Sequence, residues 1–190
     1  MAEQRNLLAG SREPTGVQER ALIEGIATFG MEVALLRAAE SMLDALRWDA
    51  ARGESAPSEH DLTTQIARIG HAYADAMWTC SGQSGSAPDA ARTLACLATR
   101  AHHLRDLAID FRLGYCNVSR EEMDRWPAGE LSIENLEEWA KRSAAEIDAA
   151  FARTLPALAG LPWRPRALYT MLAWSYRRIL TRPLEMPVFP

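Results

Sequence analysis

This sequence has few cysteines, no excess of positive charge and no long hydrophobic run. Its 190 residues include three cysteines, Cys80, Cys96 and Cys116, without the paired spacing of a zinc site or a disulfide framework. We therefore expect them to be small buried residues in a reducing compartment. The net charge of −4, from 21 basic and 25 acidic residues, argues against a dedicated nucleic-acid-binding protein.

The sequence also lacks the patterns of a membrane-spanning segment, a signal peptide and a β-strand. No apolar segment approaches the roughly 18 residues that a membrane span requires, and the N-terminus lacks the pattern of a signal peptide. These two absences predict a cytoplasmic protein with no membrane span. Alternation of apolar and polar residues, which is typical of β-strands, does not occur, whereas helical periodicity is nearly continuous. The sequence therefore predicts an all-α protein with a single helical domain.

The predicted organisation has three parts. A polar segment covers residues 1–16, a helical domain covers residues 17–182, and a proline-rich tail covers residues 183–190. Ser58 and Ser132 are placed to cap the helices that follow them. The predicted helices cover residues 17–28, 31–52, 58–80, 89–113, 132–155 and 166–181. Core packing is expected of the tryptophans, which are Trp48, Trp78, Trp126, Trp139, Trp163 and Trp174.

One acidic face stands out on the predicted helix over residues 89–113. His102, Asp106 and Asp110 follow one another at intervals of four residues, so they lie near one side of the helix, with Arg105 beside them. Two carboxylates one turn apart suit a hard divalent cation such as Mg²⁺, to which a diphosphate could bind. The same spacing also fits an ordinary solvated helix face, and spacing alone does not separate the two interpretations.

Several stretches resemble the squalene/phytoene synthase family, in the same order, over about residues 20–182. Residues 104–114, Leu-Arg-Asp-Leu-Ala-Ile-Asp-Phe-Arg-Leu-Gly, are similar to that family's second aspartate-rich region. Residues 42–53 resemble its Leu-Ile-Glu-Gly-Met-x-x-Asp helix, residues 58–82 its helix of small residues, and residues 166–180 its closing helix. The resemblance implies a helical bundle of the isoprenoid-synthase type around a central apolar cavity.

The resemblance also implies a ligand and a site. Family members hold Mg²⁺ and diphosphates on their aspartates, so the implied ligand is an apolar small molecule or a prenyl diphosphate, with Mg²⁺ as a candidate cofactor on Asp106 and Asp110. The candidate catalytic residues are His102, Asp106 and Asp110. We predict one pocket lined by Gly70, Tyr73, Ala74, Met77, His102 and Asp106. The candidate substrate-binding residues are Arg105, Gly70, Tyr73, Ala74, Met77, Thr99, Asn117 and Tyr176.

The departures from the family pattern restrict the expected chemistry. No aspartate precedes Asp44, so we expect the family's first Asp-x-x-x-Asp motif, and half of its metal site, to be missing. His102 stands at a metal-binding Asn of the family, and Tyr73 replaces a Val, which would narrow the pocket. Ionisation of an allylic diphosphate needs dense positive charge on the leaving group. Head-to-head prenyl condensation by this chain alone is therefore not expected.

Three functions remain open from the sequence. The chain could be a shortened, repurposed enzyme of this kind, acting on an isoprenoid or another apolar molecule in a reduced cavity. In that case His102, Asp106 and Asp110 would act as metal ligands or as acid–base groups. It could instead be a non-catalytic relative that binds a ligand or assists assembly. It could also be one subunit of a homo- or hetero-oligomer in which a partner chain supplies the missing motif.

Overall fold

The structure of the protein is a computed structural model that describes residues 32–52, 55–126 and 132–181, and residues 13, 16, 17, 20 and 24. No described residue lies in a β-strand, and helices make up most of these ranges, which confirms the predicted all-α class. None of the described helices is long and apolar enough to cross a membrane. The isoprenoid-synthase architecture stays a prediction.

The helices follow one another with short connections. In the described ranges the α-helices are α1 (Glu32–Arg52), α2 (Glu59–Cys80), α3 (Asp89–Arg105), α4 (Leu107–Arg112), α5 (Arg120–Met123), α6 (Ile133–Thr154) and α7 (Trp163–Leu180). A 3-10 helix (Leu155–Gly160) joins α6 to α7.

Side-chain caps set the start of two long helices, as predicted. The hydroxyl oxygen of Ser58 accepts a hydrogen bond from the backbone N–H of Asp61, and that of Ser132 accepts one from the N–H of Asn135. These bonds satisfy donors that a helix N-terminus otherwise leaves unpaired. Each cap lies where the sequence placed it, so the starts of α2 and α6 could be predicted closely.

Helix α3 is the central element, and it packs against α2, α6 and α7. Its buried side consists mostly of alanine and leucine, which allows neighbouring helices to approach closely. The phenol of Tyr169 on α7 is fully buried and donates a hydrogen bond of 2.7 Å to the carbonyl oxygen of Ala74 on α2. Helices α2, α3 and α7 are thereby fixed to one another around a common core.

Three details of the sequence prediction are corrected. The helix predicted over residues 89–113 is interrupted at Asp106, where the backbone leaves helical geometry (φ −93°, ψ 5°), so α3 and α4 are separate. The last helix begins at Trp163 rather than at Arg166. Trp163 and Trp174 are exposed instead of packed in the core.

The cysteine prediction holds only in part. Cys116 is buried, Cys96 is half-buried and Cys80 is exposed, and none of the three forms a disulfide. The predicted segment over 183–190, and most of the segments predicted over 1–16 and 17–28, lie outside the described residues.

Candidate functional site

A large cleft lies between α2, α3, α5 and α6. Its volume is about 810 Å³, within the range of roughly 300–1,000 Å³ that is usual for small-molecule sites. The residues that line it come from α2, α3 and α6 and from the segment that contains α5. The apolar lining comes from Leu62, Ile66, Ala67, Leu97, Leu104, Trp126, Trp139 and Ile147. The cleft can therefore enclose an apolar body of considerable size.

Arg100 and His103 of α3 are among the residues that line this cleft. Burial lowers the pKa of His103 to about 4, and the neighbouring cations His102 and Arg52 act in the same direction. His103 is consequently neutral at physiological pH. Arg100 is half-buried. Its guanidinium donates no hydrogen bond to another described residue and forms no ion pair with one. Arg100 therefore has no directly paired carboxylate among the described residues, although Glu59, Glu122, Glu138 and Glu146 also line the cleft.

At α5, the rim of the cleft carries charged side chains that pair with one another. Glu122 receives hydrogen bonds from Arg125 at 3.2 Å, from the indole N–H of Trp126 at 3.2 Å and from Arg142 on α6. This cluster connects α5 to α6 across the opening. Because one carboxylate serves both arginines, Glu122 leaves the Arg125–Arg142 pair only partly neutralised.

Asn117 connects the cleft to the predicted acidic face. It lines the cleft, its amide group donates to Oδ2 of Asp110 at 2.8 Å, and its Oδ1 accepts from Arg52 at 2.6 Å. Burial raises the pKa of Asp110 to about 6, and the carboxylates of Asp106 and Asp49 act in the same direction. Asp110 therefore titrates near neutral pH, one hydrogen bond away from the cleft.

His102 and Asp106 form a different cluster, outside the lining of the cleft. Arg105 donates to both carboxylate oxygens of Asp106, at 2.6 and 2.8 Å, and Nε2 of His102 lies 3.0 Å from Oδ2. The Arg105 hydrogen bonds lower the pKa of Asp106, whereas burial lowers that of His102. The hydroxyl of Tyr176 on α7 lies 3.4 Å from Nδ1 of His102.

This arrangement does not fit a divalent cation well. Both oxygens of Asp106 are occupied by Arg105, and Oδ2 of Asp110 is bonded to the amide of Asn117. Within the described ranges, no group of three or more His, Cys, Asp or Glu side chains is placed to share a metal ion. A cation at Asp106 would first have to displace a guanidinium, which costs a strong charge-assisted pair.

The predicted pocket residues on α2 lie outside the lining of the cleft. Gly70 contacts α3 so closely that a Cβ atom would lie 2.6 Å from Sγ of Cys96, and Ala74 is fully buried. Met77 packs against the core, and Thr99 bonds to the carbonyl oxygen of Ala95 in its own helix. Tyr73 is exposed, and burial raises the pKa of Tyr176, with Tyr73 acting in the same direction.

The structure therefore divides the predicted site. Asn117 lies in the cleft, Asp110 lies behind it, and His102, Arg105, Asp106, Tyr73 and Tyr176 belong to the cluster between α2, α3 and α7. Sequence reasoning missed Arg100 and His103, although both share a face of α3 with the buried Leu97 and Leu104. Their spacing with these apolar residues was the available signal.

Comparison with protein-family models, with curated proteins and with solved structures finds no match to this chain. The geometry of the cleft and its charges is therefore the basis of the functional proposal.

Proposed function

We propose that this chain binds an amphipathic small molecule, with an apolar body and an anionic head group, in the cleft between α2, α3, α5 and α6. The single observation that carries the proposal is Arg100, a half-buried cation that lines the cleft beside Leu97 and Leu104 and forms no hydrogen bond or ion pair with another described residue. The ligand classes that fit are fatty acids and prenyl diphosphates, which combine these two parts in one molecule.

The apolar walls supply the first half of the argument. Leu62 and Ile66 of α2, Leu97 of α3, and Trp139 and Ile147 of α6 all line the cleft. Covering apolar surface of this kind with a hydrocarbon chain yields roughly 25 cal/mol for each Å² removed from water. A hydrocarbon ligand therefore gains affinity along the length of the cleft without any specific polar contact.

Arg100 supplies the second half. A cation taken partly out of water needs a compensating negative group, since its desolvation otherwise costs free energy. The planar guanidinium can give two parallel hydrogen bonds to a carboxylate or a phosphate. A ligand head group beside Arg100 would therefore be held in position as well as neutralised. The neutral His103 lies on the same wall and can contribute one further hydrogen bond.

A second candidate function is the shortened squalene/phytoene-synthase-like enzyme implied by the resemblance. The observation that favours it is the hydrogen bond from Asn117 to Asp110, whose pKa of about 6 is suited to proton transfer. In that case Asn117 would contact the substrate and Asp110 would exchange a proton with it through solvent. The Mg²⁺ site on Asp106 and Asp110 remains a proposal of this second function only.

Binding is tested by titrating the purified chain with farnesyl diphosphate and with a saturated fatty acid of matching length. Trp126 and Trp139 line the cleft, so we expect a change in tryptophan fluorescence, and native mass spectrometry should show one ligand per chain. The Arg100→Gln variant should bind about tenfold more weakly, in line with the loss of one charge-assisted pair. The matched control is Arg153→Gln, an exposed residue of α6 that does not line the cleft.

Equal affinity of the Arg100 and Arg153 variants would contradict the proposal. Stronger binding of an uncharged alcohol of the same length than of either anion would contradict it as well. The enzymatic alternative requires turnover of a bound prenyl diphosphate that is lost in the Asp110→Asn variant while binding persists. Binding without turnover, with or without Mg²⁺, would leave ligand binding as the function.

A further inference from the structure

Helix α7 presents an exposed apolar face on its outer side. Trp163, Met171 and Trp174 are 68%, 66% and 61% exposed. Their separations of eight and three residues place them within about a quarter turn of one another on the helix. Two large indole rings on one exposed face are unusual, because tryptophan is ordinarily highly buried. This surface, which we call the Trp163–Trp174 face, therefore has an expected interaction partner.

The face cannot be buried by a rotation of α7. The opposite side of the helix carries Tyr169 and Ala173, both fully buried, and Tyr169 is bonded to the backbone of α2. Arg177 is paired with Asp148 on α6 at 2.6 Å, which fixes the helix at its C-terminal end. The Trp163–Trp174 face is therefore held outward by the core itself.

The charges of α7 differ in sign from those of the whole chain. The helix contains four arginines and no acidic residue, whereas the chain carries a net charge of −4. Arg177 is paired with Asp148, but Arg164 and Arg178 stack on the two exposed rings, each with its guanidinium carbon 5.4 Å from the ring centre of Trp163 or Trp174. These cations remain at the edge of the apolar face.

We propose that the Trp163–Trp174 face docks on the surface of an anionic lipid bilayer. Tryptophan suits the boundary between head groups and acyl chains, because its ring is apolar and its N–H is polar. Arginines beside it attract anionic head groups at a charged membrane surface. Apolar residues on one face with arginines at its edge are the pattern of helices that lie in the membrane interface.

A second copy of the chain fits this face less well. A two-fold symmetric contact would place the same surface of both copies together, and the arginines of one α7 would meet those of the other. Like charges that face each other across an interface destabilise the contact. The charge of α7 is instead complementary to phosphate-bearing lipid head groups.

The test is sedimentation of the full chain with vesicles of phosphatidylcholine alone and of phosphatidylcholine with phosphatidylglycerol. We expect binding to the anionic vesicles, a blue shift of tryptophan emission, and a loss of binding as salt is raised. The Trp163→Ala/Trp174→Ala variant should bind about tenfold more weakly, because the apolar anchor is removed. The Arg164→Gln/Arg178→Gln variant should retain less of the preference for anionic vesicles.

The matched control is Leu46→Ala/Leu113→Ala, which removes exposed apolar side chains from α1 and from the residue that follows α4. This variant should bind vesicles like the original chain, and circular dichroism should show that all variants stay helical. Equal loss of binding in the control would overturn the proposal, as would absence of binding to anionic vesicles at low salt. A dimer that dissociates on changing Trp163 and Trp174, without any vesicle binding, would identify a second copy as the partner instead.

Discussion

Burial of individual charged groups determines the electrostatics of the site more than the spacing of carboxylates does. Asp106 and Asp110 are four residues apart, yet their pKa values shift in opposite directions. Arg105 contacts Asp106 directly and favours its charged form. Among the described residues, the carboxyl of Asp110 accepts a hydrogen bond from the amide of Asn117 alone, so burial dominates and favours the protonated form. Equal spacing in the sequence thus gives two carboxylates with different chemistry.

The Asp110→Asn variant is expected to be more stable than the original chain at pH 7.5. At that pH the carboxyl of Asp110, whose pKa is about 6, is ionised in a partly buried position beside Asp106 and Asp49. An asparagine removes this charge, and its Oδ1 can still accept the hydrogen bond that the amide of Asn117 donates. A thermal melt should therefore show a higher melting temperature. The control is Asp124→Asn, a change at an exposed residue that should leave the melting temperature unchanged within error. A lower melting temperature for Asp110→Asn would refute the burial argument.

The choice between His102 and His103 shows what a single sequence cannot decide. These neighbours differ by 100° of rotation on α3, and only the packing of α2 and α6 determines which of them enters the cleft. The spacing of His102 with Asp106 and Asp110 favours His102 as the functional histidine. That spacing did predict a real cluster, since His102 contacts Asp106. It could not show that the cleft lies beside His103, which is rotated by 100° from His102 around α3.

Gly70 determines how closely two helices approach each other. A Cβ atom at this position would lie 2.6 Å from Sγ of Cys96 and 2.8 Å from its Cα. Because the backbone of α3 would have to move, we expect Gly70→Ala to lower the free energy of unfolding by about 1–3 kcal/mol. Urea denaturation measures this difference. Gly160→Ala is the matched control, since nothing lies within 4 Å of its added Cβ.

Arg52 attaches the end of α1 to the segment beside the cleft. Its guanidinium donates to the carbonyl oxygen of Cys116 and to Oδ1 of Asn117, both at 2.6 Å, and it lies over the ring of Trp48. Loss of hydrogen bonds from a charged donor predicts that Arg52→Gln lowers the free energy of unfolding by about 2 kcal/mol. The control is Arg47→Gln, whose exposed pair with Asp44 should contribute less than about 1 kcal/mol. Equal effects of the two changes in urea denaturation would contradict this assignment.

Helix positions were more predictable from the sequence than helix surroundings. The starts of α2 and α6 followed from local capping chemistry at Ser58 and Ser132, which needs no tertiary information. The interruption at Asp106 was not predictable, because the residues around it have ordinary helical patterning. The exposure of Trp163 was missed for the opposite reason. Residue type predicts burial only on average, whereas the side of α7 that faces the core is set by Tyr169 and Ala173.

At the scale of the whole molecule, two groups near the cleft oppose each other as pH falls. His103 has a pKa of about 4 in the folded chain and 6.5 as its ordinary value, so its contribution to stability is lost as pH falls from about 6.5 to about 4. Asp110 has a pKa of about 6 against an ordinary value of 3.8, so stability is gained as pH falls from about 6 to about 4. The two contributions largely offset each other between pH 4 and 6.

Removing either group should expose the pH dependence of the other. The His103→Gln variant, studied without ligand, should gain stability relative to the original chain as pH falls from 6.5 to 4, because only Asp110 remains of the pair. The Asp110→Asn variant should show the reverse, a steeper loss of stability over the same window. Melting temperatures at half-unit pH steps measure both slopes, and taking differences from the original chain cancels the carboxylates that are common to all three proteins. Parallel profiles for the two variants would mean that His103 and Asp110 titrate at their ordinary pKa values. That result would contradict the conclusion that burial shifts the pKa of both groups.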